Sequence, residues 1–189
     1  MTTELEVFDA LKYEVRVDAN GTRKYFNRAG QLHRDEGPAV TLSKGTKKWY
    51  QNGLRHRENG PAVVYPNGRK EWYHFGLQHR EDGPAVEWPD GTKEWYRNGL
   101  RHRENGPASV LPNGRKEWWQ NGKRHREDGP AYERPDGTKE WWYNNLRHCT
   151  TGPAVIYASG YKCWFLNGVE YTESNYPTKL AALGLADDK

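Results

Sequence analysis

A chain of 189 residues that is 34% hydrophobic, 29% charged and of mean hydropathy −1.14 has too little aliphatic material for a large conventional core. It also has no apolar run near the roughly 18–20 residues of a membrane span. Its 29 basic and 25 acidic residues are interspersed, so the net charge of +4 describes a mixed surface better than a basic groove for nucleic acid.

Nine Trp, twelve Tyr and four Phe nevertheless argue against disorder. Each such ring buries roughly 150–250 Å², so an aromatic core is expected. Two cysteines, Cys149 and Cys163, are too few for a disulfide framework or a Cys-rich zinc site. With no secretory leader visible, a reduced, cytoplasmic setting is the expectation.

In chain order, Thr3 to Leu11 reads as a short capping helix with Val7, Phe8 and Leu11 on one side. Lys12 to Val17 reads as a strand, Asn20-Gly21 as a turn, and Tyr25-Phe26 as the aromatic pair of a returning strand. From there the chain repeats. Gly-Pro-Ala begins at Gly37, Gly60, Gly83, Gly106, Gly129 and Gly152, a constant step of 23 residues. Trp49, Trp72, Trp95, Trp118, Trp141 and Trp164 keep the same register, as do His33, His56, His79, His102, His125 and His148. Three ladders in one register are the signature of a tandem array.

One unit begins at Gly60. Pro61 to Tyr65 is short and rich in β-formers, and Pro66-Asn67-Gly68 is a tight turn in which Gly supplies positive φ. Arg69 to Tyr73 is expected as the second strand, with Lys70 and Trp72 on one face and Arg69, Glu71 and Tyr73 on the other. Gly76 then closes a longer loop through His79, Arg80, Glu81 and Asp82. The unit is a β-hairpin, unstable alone, that gains stability by stacking on its neighbours. Asn67 and Asn113 alternate with Asp90 and Asp136 at the turns, a larger period of two hairpins. Ser174 to Leu185, with Tyr176, Leu180, Leu183 and Leu185, reads as a helix over the last strand edge.

The fold class expected is therefore all-β: an elongated, twisted antiparallel sheet of about seven tandem β-hairpins with short helical caps. Residues 1–12 form the N-terminal cap, 13–171 the repeats, and 172–189 the C-terminal helix and tail.

The string Trp-Tyr-x-Asn-Gly-x-x-His-Arg-Glu-Asp-Gly-Pro-Ala resembles MORN (membrane occupation and recognition nexus) repeats. It is the variant found in phage, giant-virus and some bacterial proteins, and the likeness covers roughly residues 13–171. MORN units usually carry Gly where this chain has Glu71, Glu94, Glu117 and Glu140. The resemblance implies a scaffold, and a viral protein that docks on a host (defence) protein in the host cytoplasm and blocks it.

An enzyme site is a single arrangement, whereas nearly every polar group here recurs. No catalytic residue, no cofactor and no metal is expected. His148, Cys149 and Cys163 could supply three metal ligands, but relaxed repetition in the last unit accounts for both cysteines. The His-Arg-Glu triplets are read as structural, with each His bonding a loop carbonyl.

The Trp49–Trp164 ladder is read as the core seam. The second aromatic ladder, Tyr50, Tyr73, Tyr96, Trp119, Trp142 and Phe165, is read as facing a partner. Protein binding is therefore placed on Tyr73, Tyr96, Trp119 and Trp142, with Trp88, Arg97, Glu94 and Glu117 beside them. The positions that differ between units should shape that contact, notably Gln51, His74, Arg97, Gln120, Tyr143 and Leu166.

The alternative is an anionic ligand, such as a nucleotide second messenger or phosphoinositide head group. It would be held at the edge formed by His79, Arg80, His102, Arg103, His125 and Arg126. Nucleic acid is a third class and the least favoured, and self-association through the sheet edges stays open.

Overall fold

The computed structural model describes residues 12–185, so the helix expected over Thr3 to Leu11 lies outside the described residues. The chain divides after Leu100 into two units. In the first, an antiparallel ladder runs in chain order through Glu14–Val17, Arg23–Phe26, Val40–Thr41, Lys47–Lys48, Val63–Val64, Lys70–Glu71, Val86–Glu87 and Lys93–Glu94. In the second it runs through Ser109–Val110, Lys116–Glu117, Tyr132–Glu133, Lys139–Glu140, Val155–Ile156, Lys162–Leu166 and Val169–Tyr171. The ladder strands follow chain order, joined alternately by a tight turn and by a longer stretch that returns to the neighbouring position. The protein is thus a tandem series of β-hairpins in antiparallel sheet.

The turn Pro66-Asn67-Gly68 forms as its residues dictate. The Gly68 N–H donates to the Tyr65 carbonyl at 3.0 Å with φ +90°, and the Arg69 N–H donates to the Asn67 side chain at 3.1 Å.

The strand expected over Arg69 to Tyr73 is broken at Trp72. Lys70–Glu71 belongs to the ladder, whereas Tyr73–His74 turns out of it and pairs with Leu77–Gln78. Every unit from residue 50 on has such a second, short hairpin: Tyr50–Gln51 with Leu54–Arg55, Trp119–Gln120 with Lys123–Arg124, Trp142–Tyr143 with Leu146–Arg147. The stretch read as a loop is therefore half of the architecture. Its tip is Asn52-Gly53 (φ +48° and +82°), the pair of positive values a two-residue primed turn requires.

The core differs from the aromatic one expected. Ala39, Ala62 and Ala85 in the first unit, and Ala108, Ala131 and Ala154 in the second, are fully buried, joined by Val63, Val86 and Val155. The Trp ladder is only partly buried. Its backbone fixes the repeat, since the Trp72 N–H donates to the Ala85 carbonyl at 2.8 Å and the Trp72 carbonyl accepts from the His79 N–H at 3.2 Å. Its ring stands where the chain leaves the ladder, and a guanidinium covers one face. Arg57 lies 4.1 Å from the Trp49 ring, Arg80 4.2 Å from Trp72, and Arg126 4.2 Å from Trp118.

The same guanidinium approaches the Gly of Gly-Pro-Ala. A Cβ on Gly83 would stand 2.9 Å from Cζ of Arg80, and one on Gly129 2.9 Å from Cζ of Arg126. At Gly37, Gly60 and Gly106 the approach is 3.3–3.4 Å and the backbone has φ of +108°, +132° and +123°, which itself favours glycine.

The C-terminal helix is present over Tyr176–Ala182, inside the wider span expected. Tyr176 and Leu180 pack on Leu166, Trp164 and Tyr171. The Tyr176 hydroxyl donates to the Cys149 carbonyl, and burial pushes its phenol up to about 12. Cys149 stands where the ladder has Arg, and Gly152 below it meets nothing within 4 Å. The exchange of Arg for Cys thus coincides with the docking of the helix.

Candidate functional site

The cross-strand register aligns Val63, Glu71 and Val86 on one line, so Glu71 shares the covered face with the two valines. Glu71 and Glu117 are each 3% exposed and Glu140 is 9% exposed, while Lys70 and Lys116 are exposed. This corrects the expected faces: the Glu and second-aromatic side is the inner one, because the short hairpins lie over it.

Each buried carboxylate is neutralised locally. Glu71 takes hydrogen bonds from the hydroxyls of Tyr73 (3.0 Å) and Tyr65 (3.3 Å) and an ion pair from Arg69. Burial and then the Glu71 charge push the Tyr73 phenol up. Glu117 pairs with Arg115 at 2.7 Å and Arg124 at 3.3 Å and accepts from the Trp119 indole N–H at 3.0 Å. Glu140 accepts from the Trp142 indole at 3.1 Å and from Arg147 at 3.2 Å. The same guanidiniums lie among the rings. Cζ of Arg124 is 5.1 Å from Trp119 and 5.0 Å from Trp142, and Cζ of Arg147 is 5.2 Å from Trp142 and 5.4 Å from Phe165.

The residues expected to meet a partner are therefore placed as follows. Tyr73, Tyr96, Trp119 and Trp142 open the short hairpins and are partly buried. Trp88 lies at a turn with Arg69 3.7 Å above its ring. Glu94 is partly buried, Glu117 is in the interior, and Arg97 is exposed near a hairpin tip. The variable positions next to the rings are mostly outward: His74, Arg97, Gln120 and Tyr143 are exposed, Gln51 is partly buried, and Leu166 is buried under the helix.

The His-Arg edge has another task. The Nδ1 of each ladder histidine accepts a backbone N–H nineteen residues on, at the tip of the next short hairpin. Asn52 donates to His33, Asn98 to His79, Asn121 to His102 and Asn167 to His148, each at 3.1 Å; Phe75 donates to His56 and Asn144 to His125 at 3.3 Å. The expected bond to a loop carbonyl is thus replaced by one in which the ring is the acceptor. A ring accepting at Nδ1 is the neutral imidazole with its proton on Nε2; at His79 the same Nδ1 also lies 3.0 Å from Oδ1 of Asn98.

The arginines are engaged as well. Arg80, Arg103 and Arg126 donate to the carbonyls of Pro84, Pro107 and Pro130 at 3.1–3.3 Å. Arg80 also pairs with Asp82 and Glu87.

Between successive loops lie shallow cavities. One of about 410 Å³ is lined by His33, Trp49, Gln51, His56 and Arg57, and one of about 450 Å³ by Arg126, Trp141, Tyr143 and His148. Cys149 and Cys163 are buried free thiols, and burial pushes the Cys163 thiol up, assisted by Glu170. Among the described residues no cluster of three His, Cys, Asp or Glu side chains is placed to hold a metal ion. No helix of the described residues is long and apolar enough to cross a membrane.

The outward surface of the short hairpins is what the sequence reading missed. In the first unit, Leu54 (48% exposed), Leu77 (50%), Leu100 (49%) and Phe75 (50%) stand on it. Successive hairpins are bonded to one another, the Gly76 N–H to the Arg55 carbonyl and the Gly99 N–H to the Gln78 carbonyl, both at 2.8 Å. Cδ2 of Leu54 sits 3.4 Å from where a Gly76 Cβ would be, and Cδ2 of Leu77 has the same relation to Gly99. The available signal was the Asn-Gly dipeptide between Tyr-Gln and Leu-Arg, a hairpin signature in its own right.

No protein-family model matches this chain, and no curated protein does. Among solved structures there is a likeness to one described as the microcephaly protein CPAP G-box domain. It has 21% identity, covers 79% of this chain and 96% of that one, and superposes with a TM-score of 0.21, too low to bear on function.

Proposed function

We propose that the chain is a non-catalytic scaffold that binds a protein partner through its column of short hairpins. The observation that supports this is a division of labour within the unit. The recurring residues are committed inward: the alanines to the core, Glu71, Glu117 and Glu140 to Arg and ring donors, the histidines to hairpin tips. Residues that vary, His74, Arg97, Gln120 and Tyr143, are exposed on a rigid support. Aromatic and Arg side chains held in this way suit the centre of an interface. The MORN-like assignment, and with it a phage or viral protein acting on a host protein in the cytoplasm, rests on the resemblance of the repeat string.

A salt titration separates this reading from its rivals. The immobilised chain, incubated with nuclease-treated host extract, is expected to retain a protein whose capture weakens less than about tenfold between 50 and 200 mM salt. Replacing His74 and Arg97 together with Ala should remove that protein. A ligand lost about 10³-fold or more across the same range would point instead to phosphate contacts along the Arg and His edge.

A further inference from the structure

We infer that Phe75, flanked by Leu54 and Leu77, is the centre of the contact surface, and that it takes a partner segment both acidic and apolar. The inference rests on the reading that the chain binds protein through its short hairpins.

The first observation is a residue out of place. The tip position is Asn52, Asn98, Asn121, Asn144 and Asn167 in the other units, all with positive φ near 50°. Asn tolerates that conformation; Phe75 occupies it at φ +43°, where a bulky side chain is strained. Strain at one member of a repeated set, where a relaxed alternative is used everywhere else, points to a role outside folding.

The second observation is how the ring is held. It stacks on His56 with centroids 4.2 Å apart and planes at 18°, and His74 meets its edge at 4.6 Å and 71°. One face is thereby fixed while the side chain stays half exposed. A pre-oriented aromatic loses little freedom on binding. Leu77 stands on the same hairpin as Phe75 and Leu54 on the preceding one, each exposed and seated against a glycine of the following hairpin, Gly99 and Gly76.

The third observation is charge. The three short hairpins of this unit, Tyr50 to Arg55, Tyr73 to Gln78 and Tyr96 to Leu100, contain Arg55, Arg97 and His74 but no Asp or Glu. Carboxylates of the Arg-Glu loops lie nearby, where Glu58 and Glu81 stand 4.0 Å and 3.8 Å from Nε2 of His56 and His79. Arg55 is bonded to the Tyr50 and Tyr73 hydroxyls, whereas Arg97 is exposed. Apolar side chains beside that guanidinium, on hairpins without Asp or Glu, complement a protein segment in which Asp or Glu alternates with large apolar residues.

The repeat supplies its own controls. Phe75→Asn copies the tip residue of the other units, and Leu77→Lys copies Lys123, which is exposed at the equivalent position. Both variants should keep the wild-type circular dichroism and melt within a few degrees of it. The probe is a fluorescent peptide of about 15 residues alternating Glu with Leu and Trp, compared with a version carrying Lys for Glu, and with phosphatidylcholine vesicles containing phosphatidylserine.

The full chain is expected to bind the acidic peptide, and each substitution to weaken that binding at least about tenfold, the scale of one hot-spot residue. Unchanged affinity in both variants, equal binding of the Lys peptide, or vesicle binding with the same dependence on Phe75 would each overturn the inference. If Phe75→Asn retains the protein captured from extract while the His74 and Arg97 double variant loses it, the contact stays on the hairpins and only its centre is misassigned. If no protein is captured at all, the scaffold reading falls with it.

Discussion

Replacing Glu117 with Ala is expected to cost about 3 kcal/mol of stability, read as the shift in a urea or thermal unfolding curve. The carboxylate is 3% exposed and is shared by Arg115, Arg124 and the Trp119 indole. Removing it leaves Arg124, with three rings about 5 Å away, as a partly buried charge without its counter-ion. It also strands the indole donor. Arg115 is the more exposed of the two guanidiniums and can turn to water, which keeps the loss at the low end of the range for a broken buried pair. Glu117→Gln retains an acceptor for Trp119 and should lose roughly half as much. Because neighbouring units contribute terms that add, the damage should concentrate near this unit. A loss under about 1 kcal/mol would mean that Glu117 is solvated, and that the short hairpins do not cover that face.

Acid should destabilise the array, beginning where an unfolded histidine titrates. The His56 ring is held below its ordinary value of 6.5 by burial first and by the facing His74 second, with Glu58, 4.0 Å from Nε2, opposing both. Its Nδ1 is moreover occupied by the Phe75 N–H. The unfolded chain therefore binds this proton before the folded one does. The stability His56 contributes is complete above about pH 7.5, and it is lost progressively as pH falls through 6.5 toward the lower folded value.

Protonating His56 would turn that acceptor into a donor facing another N–H. Stranding one such amide costs on the order of 1–3 kcal/mol. The melting temperature is accordingly expected to fall between pH 7 and pH 5, and His56→Gln to flatten that slope. A melting temperature constant over that interval would contradict the assigned tautomer.

The ladder was legible in the sequence because its signals are local: Pro66-Asn67-Gly68 makes a turn, and the β-formers beside it make strands. The C-terminal helix was legible from Tyr176 and Leu180, whose spacing matches one helical face. The second hairpin escaped notice because its arms are two residues long, too short for alternation to register. The glutamates were taken as surface charge because a carboxylate's type does not say what surrounds it. Only the recurring seven-residue separation, Glu117 to Arg124 and Glu140 to Arg147, carries the pairing, and it becomes visible once the chain is folded back. The Trp ladder was assigned to the core on size. The rings are instead finished by an arginine eight residues on, at Trp49 and Arg57 for example, a partnership that composition hides.

The most direct test of where this protein makes its contact is a photo-cross-linking residue placed singly at Arg97 and at Lys70. Both positions are exposed, Arg97 on the short hairpins and Lys70 on the outer face of the ladder. With binding through the short hairpins, the Arg97 variant forms a covalent adduct with the captured protein and the Lys70 variant does not. An adduct at Lys70 with none at Arg97 would contradict that placement and move the contact to the ladder's outer face.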